Sequence, residues 1–471
     1  MLTPLVIVSF VIFCFSIAYA VSTLSLIALS LFHALHEKAE RGETYGLRNR
    51  PLRPGISLLA PAYNELPVIV TSVRSLLESD YDPLEVVIVD DGSTDGTTEA
   101  LIDAFELVQL PVGDRLRLET EPIERLYVSR SDPRLYMARK RNGGRPDALN
   151  AGINLARNDL VVMTDVDCLF ERDALARIVE VFSIDPEHIV AVGGTVRVAN
   201  GSVIENGEVV EPRVPLGGTP ASQVAEYLRS FFGARIAWSA LNGLIILSGA
   251  FGAYRRDLLR AVGGLSTNTL GEDMELTMRM HEQLRPTHSR TRVAFAPGAV
   301  CWTEVPPGLG SLHGQRVRWH IGLLDNLRLH SKMIGRRRFG AVGTLALPYN
   351  ILFEAIAPIL QVLGYVIFLV LALYGAIAWQ YAVAFFALVL LGGQLLTAGS
   401  LLIEDVAFGR YRARDLAKVG SWGLLEIFWY QPLTALWRIW ATLLFVTGRR
   451  PGWGRIPRGV ALTEAPEPLP R

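Results

Sequence analysis

The chain has 471 residues, 50% of them hydrophobic and 20% charged, with a mean hydropathy of +0.29. That length suits two or three domains and a core that stands without disulfide staples. Lys+Arg and Asp+Glu each number 46, so the net charge is zero, which argues against a generally basic nucleic-acid binder and against an acidic disordered chain. The three cysteines, Cys14, Cys168 and Cys301, form no CxxC pair. This points to a reducing compartment for the middle of the chain, with no zinc ribbon and no disulfide framework.

No charged residue occurs from Met1 to Phe32, a run longer than the ~20 residues a helix needs to cross a bilayer. A secretory signal peptide is the competing reading, since Ala18-Tyr19-Ala20 resembles a cleavage site. Against it, no Lys or Arg precedes the run, and the run continues well past Ala20. Lys38, Arg41, Arg48, Arg50 and Arg53 follow. By the positive-inside tendency, residues 1–35 are expected to be a transmembrane anchor with its N-terminus outside, and 36–54 a basic cytoplasmic linker.

Residues 55–335 read as one cytoplasmic domain of alternating short apolar strands and amphipathic helices. ISLLAPAYNE is a strand running into a loop, and 66–79 is a helix. LEVVIVDDGSTDGT and DLVVMTDVDCLF are buried strands ending in polar turns. Continuous Val/Ile/Leu runs separated by helices predict an α/β domain with a mostly parallel sheet covered on both faces. Ligands in such sheets bind at the carboxyl ends of the strands, where the polar clusters fall. No GxxxxGK[ST] loop and no GxGxxG turn occurs, so a P-loop NTPase and a dinucleotide oxidoreductase fit poorly. Asn200-Gly201 and Asn206-Gly207 mark hairpins between 197 and 219.

Between Arg338 and Glu404 the only charged residue is Glu354. The stretch divides at Trp379-Gln380-Tyr381 into two expected transmembrane helices, 344–376 and 381–403, the first kinked at Pro358. Glu354 is costly in lipid and is expected to face protein or a water-filled path. The apolar segment 419–447 carries Glu426, Pro432 and Arg438. A full crossing there would put the C-terminus outside, whereas Arg449, Arg450, Arg455 and Arg458 favour the inside. A broken, partly interfacial helix reconciles the two. Residues 448–471 are a basic, then Pro-rich tail.

Four acidic clusters fall at predicted strand or helix ends: Glu65, Asp90/Asp91, Asp165/Asp167 and Glu272/Asp273. Each alone fits an ordinary turn or helix cap. Gathered at one sheet edge, they are too much negative charge to stand uncompensated. A divalent cation with an anionic ligand resolves the repulsion. Asp165-Val166-Asp167 brings two carboxylates to one rim, because alternate residues of an extended chain share a face. Oxygen ligands select hard ions, Mg²⁺ or Mn²⁺. A diphosphate is a natural co-ligand, and Arg145 in GGRPDALN is a planar donor for its oxygens. His281, His313 and His320 show no metal-binding spacing, and Cys168 reads as a small packed residue rather than a ligand.

The ordered set PAYNE, DDGSTDGT, GGRPDALN, TDVDCLF, SGAFGAYRR, GEDMELT and QRVRW resembles the membrane-embedded processive glycosyltransferases of family 2, which make cellulose, chitin, hyaluronan and poly-N-acetylglucosamine. CWTEVP, LFEAIAPILQVLGY and GWGRIPRG favour the poly-N-acetylglucosamine branch. The resemblance implies a cytoplasmic GT-A domain, Rossmann-like, flanked by transmembrane helices in a bacterial-type inner membrane. It implies that Tyr63, Glu65 and Asp91 hold the uridine, while Asp165 and Asp167 meet the diphosphate and its metal. Asp273 would be the general base, supported by Glu272, and Gln315, Arg318 and Trp319 would meet the diphosphate and the acceptor sugar. Arg145 stands where Lys is usual, which keeps the charge and changes the geometry of the phosphate contact.

The chemistry of the residues points the same way. A sugar hydroxyl is a poor nucleophile until a positioned carboxylate takes its proton, a contribution of ~10²–10⁴-fold. Arg318 and a metal can stabilise the charge on departing UDP. Trp319 offers a flat apolar face to sugar C–H surfaces. One base and no enzyme nucleophile means inversion, so an α-linked UDP-sugar gives a β-linkage. The expected activity is polymerisation of a polysaccharide from UDP-N-acetylglucosamine onto a growing glycan acceptor, coupled to export across the bilayer. Two alternatives stay open: transfer of a single sugar to a lipid carrier, and a nucleotide-sugar-binding membrane subunit without turnover. Expected partners are the donor, the glycan, the bilayer and a small accessory membrane subunit, with no nucleic acid.

Overall fold

The computed structural model describes residues 2–43, 53–113, 117–205, 207–285, 290–375 and 379–450. Arg48 and Arg50 of the expected linker, and Arg455, Arg458 and the Pro-rich tail, lie outside them. The chain divides into two compact units. Among the described residues, one comprises 53–213 and Leu244–Val305, the other 2–42, Val214–Gly243 and 306–450.

The first unit is built on a ten-stranded sheet, with a separate two-stranded ribbon. Its strands are β1 (Ile56–Ala62), β2 (Leu84–Asp90), β3 (Leu107–Leu110), β4 (Ile123–Ser129), β5 (Leu135–Lys140), β6 (Leu160–Met163), β7 (Leu169–Phe170), β8 (Ile189–Val198), β9 (Val203–Glu205), β10 (Glu208–Glu211), β11 (Gly252–Arg255) and β12 (Arg292–Thr303). The sheet order is β3-β4-β5-β2-β1-β6-β11-β8-β12-β7, and β9 with β10 form the ribbon predicted near Asn200 to Gly207. β1 pairs in parallel with β2 and β6, β2 with β5, and β8 with β12, while β4, β11 and β7 run antiparallel to their neighbours. The sheet is therefore mostly parallel in direction.

β2 and β6, LEVVIVD and LVVM, are buried along their whole length, as central strands of a covered sheet must be. Helix Arg145–Leu155 packs on β1 and β2, and helix Ala174–Ile184 on β8 and β12. Parallel alignment brings the carboxyl ends of β1, β2, β5 and β6 to one edge. β11 runs the other way beside β6, with Gly252 opposite Met163, so the turn before β11 reaches that same edge.

The second unit is helical. Residues 214–243 and 306–335, expected within a continuous 55–335 domain, divide from it here. Helix Gly218–Leu228 packs on helix Ala413–Leu425, and helix Leu309–Leu329 on helix Tyr430–Val446. Apolar side chains such as Phe231, Phe232 and Ile236 are buried in this packing. Among the described residues, two helices are long and apolar enough to cross a membrane, over Ile7–His36 and Val342–Leu373. In the latter, a π-helical turn, Ile351–Ile356, ends two residues before Pro358, whose ring has no N–H to give an upstream carbonyl. Glu354 in that turn takes Arg438 Nη2 at 2.7 Å, so each ionised group has a partner. A further helix covers Trp379–Ile403. The 419–447 segment is divided between helices Ala413–Leu425 and Tyr430–Val446, separated by the turn Glu426–Phe428.

Gly194 on β8 sits under the fully buried Phe251 ring, and a Cβ there would lie 2.1 Å from Phe251 Cδ1. Phe251 in turn meets Phe170 edge-on at 4.6 Å, so it has no free direction in which to yield. Gly194→Ala is expected to lower the stability of this unit by about 1–3 kcal/mol, the usual cost of overpacking. The midpoint of chemical denaturation measures it, and a midpoint equal to wild type would contradict this packing.

Candidate active site

The shared edge begins at the end of β1. Tyr63 is exposed, and Asn64 takes a left-handed conformation at φ 58°, which Asn tolerates better than most residues. Its Oδ1 accepts the Thr94 amide at 2.8 Å, and its own amide donates to Ser93 Oγ at 2.9 Å. The Glu65 amide donates to Thr97 Oγ1, and the Leu66 amide to Asp95 Oδ2. The PAYNE loop is thereby laced to the DGSTDGT loop that follows β2. Asp90 is wholly buried and accepts from the Ser93 amide and the Thr98 hydroxyl, so it serves the loop itself.

Asp91 is also buried, and burial pushes its carboxyl up despite its donors. Lys140 Nζ lies 2.7 Å from Oδ1, and the amides of Gly143 and Gly144 donate at 3.0 and 2.7 Å. Lys140, wholly buried at the end of β5, also pairs with Asp147 and donates to the Arg141 carbonyl. Gly144 has φ 88°, open to glycine at no steric cost, and this aims its amide at Asp91. Asp91 is thus a fixed post for the loop that delivers Arg145.

Arg145 opens the helix Arg145–Leu155 and is the hub of the edge. Its Nε donates to Asp165 Oδ1 at 2.7 Å, its Nη1 to Glu272 Oε1 at 2.8 Å, and its Nη2 to the Gly249 carbonyl at 2.9 Å. Burial alone would lower its pKa, but Asp165, Glu272 and Asp273 outweigh that and raise it, so the charge is permanent. Gly249 also donates its amide to Asp273 Oδ2 at 3.1 Å, and Thr164 ties the same turn by donating to the Ala250 carbonyl at 2.9 Å.

Asp165 and Asp167 follow β6, and Asp165 is 40% exposed. Ligand atoms of Asp165, Asp167 and the buried Cys168 all lie within 4.8 Å of one another. Two convergent carboxylates fit a hard divalent cation, and the thiol is the softer member of the three. Glu272 and Asp273 begin helix Glu272–Leu284. Glu272 is buried, and burial raises its carboxyl above the usual range even beside Arg145. Asp273 Oδ1 accepts the Met274 amide at 2.7 Å, so both its oxygens are oriented by backbone donors. The helix is pinned further along by His281, which is wholly buried and held neutral by burial, its pKa lowered to about 3, with Nε2 at 2.9 Å from the Leu244 carbonyl.

Of the residues singled out from sequence, Asp91, Arg145, Asp165, Asp167, Glu272 and Asp273 are joined by consecutive contacts along one edge. Tyr63 and Glu65 lie on the neighbouring loop. Gln315, Arg318 and Trp319 belong to the helical unit, on helix Leu309–Leu329, where i, i+3 and i+4 spacing sets them on one face. Sequence reasoning missed Lys140, and gave no separate role to Asp147 and Gly249 within GGRPDALN and SGAFGAYRR. For Lys140 the sequence offers only a cation at the end of LYMARK, a mark it shares with Arg139 and Arg141.

Residues 57–263 match the family described as Glycosyl transferase family 2. The chain is 28% identical over 309 residues to poly-beta-1,6-N-acetyl-D-glucosamine synthase of Staphylococcus aureus, covering 65% of this chain and 62% of that one. It thus spans less than two thirds of that relative. With the protein of the same name from Staphylococcus epidermidis it is 26% identical over 395 residues, 80% of each chain. Among solved structures, the mannosyltransferase PcManGT from Pyrobaculum calidifontis superposes with a TM-score of 0.50 at 20% identity, covering 93% of this chain and 100% of that one. At that identity the likeness is one of fold, a GT-A-like α/β sheet.

Arg145→Met leaves Asp165 and the buried Glu272 without their cation. Stability of the sheet unit is expected to fall by about 3–5 kcal/mol, as when one partner of a buried pair is removed. An unshifted denaturation midpoint would show that the hub bears no weight.

Proposed function

We propose that this chain, which carries a glycosyl transferase family 2 domain over residues 57–263, transfers sugar from UDP-N-acetylglucosamine with inversion and builds a β-linked polysaccharide. The observation that carries the reading is the Arg145 hub. One guanidinium stands against the charges of Asp165, Glu272 and Asp273, with Asp167 close to Asp165. That excess of negative charge on a strand-end rim is what a metal-bound diphosphate would compensate.

Asp165 and Asp167 would hold a Mg²⁺ or Mn²⁺ ion, whose chemistry when bound is to neutralise the diphosphate as UDP departs. Tyr63, Glu65 and Asp91 would frame the uridine. Arg145 can turn part of its planar fork to phosphate oxygens without leaving Glu272, because its donors point in three directions. Asp273 would take the proton from the acceptor hydroxyl at its carboxylate, already oriented by the amides of Gly249 and Met274. Glu272 would keep Arg145 in place. Gln315 and Arg318, on one face of helix Leu309–Leu329, are assigned to the acceptor and the diphosphate, and Trp319 would present its ring to the acceptor sugar.

The names of the staphylococcal relatives support the polymer and the N-acetylglucosamine donor. The two apolar helices support a membrane setting. In that setting the sheet unit would work at the cytoplasmic face and the product would be exported as it grows. An accessory membrane subunit is compatible with this arrangement.

Membranes containing the purified chain, given UDP-N-acetylglucosamine with Mg²⁺ or Mn²⁺, are expected to yield a polymer digested by a β-N-acetylglucosamine-specific glycosidase. A single-sugar lipid product in excess donor would refute the polymerase. Asp273→Asn is expected to abolish transfer while UDP binding, measured by calorimetry, survives. Unchanged transfer would remove Asp273 from its role.

A further inference from the structure

Trp319 presents an indole that is 47% exposed, yet an exposed side chain on a helix is ordinarily free to change rotamer. Here it is not left free. The guanidinium of Arg316, one turn earlier on the same helix, lies over the Trp319 ring with Cζ 4.4 Å from its centroid. Arg316 itself is 6% exposed. Its Nη2 donates to Glu226 Oε2 at 2.7 Å and to Tyr430 Oη at 3.1 Å, and Tyr430 Oη donates to Glu226 Oε2 at 2.7 Å. The three groups close a ring across helices Gly218–Leu228, Leu309–Leu329 and Tyr430–Val446, all within the helical unit.

We infer that Glu226, Arg316 and Tyr430 are positioning residues that lock the Trp319 ring in one orientation, covering one face with the guanidinium and leaving the other open for the acceptor sugar. The inference rests on the proposed role of Trp319 as the surface the acceptor packs on. The guanidinium does two things that a compact ammonium does less well: it covers the ring with a broad, weakly hydrated group and donates to two partners from a fixed fork. Glu226 is the fixed acceptor on which both other members converge, so loss of its charge loosens the guanidinium and with it the indole.

The test uses the full chain in native membranes, with UDP-N-acetylglucosamine as donor and the enzyme's own short oligosaccharide product as acceptor. Initial rates are measured as each is varied. Trp319→Ala is the benchmark, and Glu226→Gln, Tyr430→Phe and Arg316→Lys are the probes. All four are expected to raise the acceptor KM, the probes by about 3–30-fold, the range a lost cation–π contact implies. The donor KM and UDP binding should stay at wild-type values. Arg316→Lys keeps the ion pair with Glu226 and should still fail to rescue, because it cannot stack. Four results overturn the inference. If Trp319→Ala leaves the acceptor KM unchanged, the role given to Trp319 falls, and the inference with it. If Trp319→Ala raises it while the probes behave as wild type, only the positioning role falls. If the probes lose UDP binding together with acceptor use, or if Arg316→Lys rescues fully, the ring is a packing element and not a guide for the indole.

Discussion

Arg145 stands between three carboxylates that the sheet forces together. Parallel β1, β2, β5 and β6 deliver their carboxyl ends to one edge, and the antiparallel β11 adds the Ser248 to Phe251 turn. A guanidinium satisfies Asp165, Glu272 and the Gly249 carbonyl at once from three separate nitrogens, reaching acceptors farther apart than a single ammonium nitrogen could. Its neighbours anchor the arginine at this edge. Lys140 and Asp91 fix the glycine loop ahead of it, Gly249 leaves room beneath it, and Glu272 is buried where only a cation makes its charge bearable.

The same rule governs the helical unit, where polar groups among apolar helices are matched pairwise. Arg438 meets Glu354, Arg229 meets Glu426, and Arg316 meets Glu226 with Tyr430. Each pair joins helices far apart in sequence, so register between them is set by charge as well as by packing. Glu354 and Arg438 both lie in segments otherwise nearly free of charge, which is the circumstance in which pairing matters most.

Much of the sheet edge was legible because chemistry and local pattern coincide there. TDVDCLF and DDGSTDGT stand at the carboxyl ends of the apolar strands LVVM and LEVVIVD, and such ends are where a parallel sheet gathers its ligand groups. Lys140 was not legible: within RKRNGGR it looks like one more solvated cation, and its burial depends on β5 lying beside β2, a long-range fact. The direction of β11 was hidden for a similar reason, since SGAFGAYRR carries no mark of which neighbour it will pair with. Val214–Gly243 fell within the expected 55–335 domain, whereas it belongs to the helical unit, with Phe231, Phe232 and Ile236 buried there. The break at Glu426 was foreshadowed by Glu426 and Pro432, residues a continuous apolar helix accommodates poorly.

The claim at the centre is that the acids on this edge share one nucleotide diphosphate with Arg145. A cryo-electron microscopy map of the full chain with UDP and Mn²⁺ tests it most directly. The account predicts diphosphate density against Asp165, Asp167 and the Arg145 guanidinium, with the Asp273 carboxylate left facing the acceptor side. Nucleotide density at any place out of reach of Arg145 would contradict it.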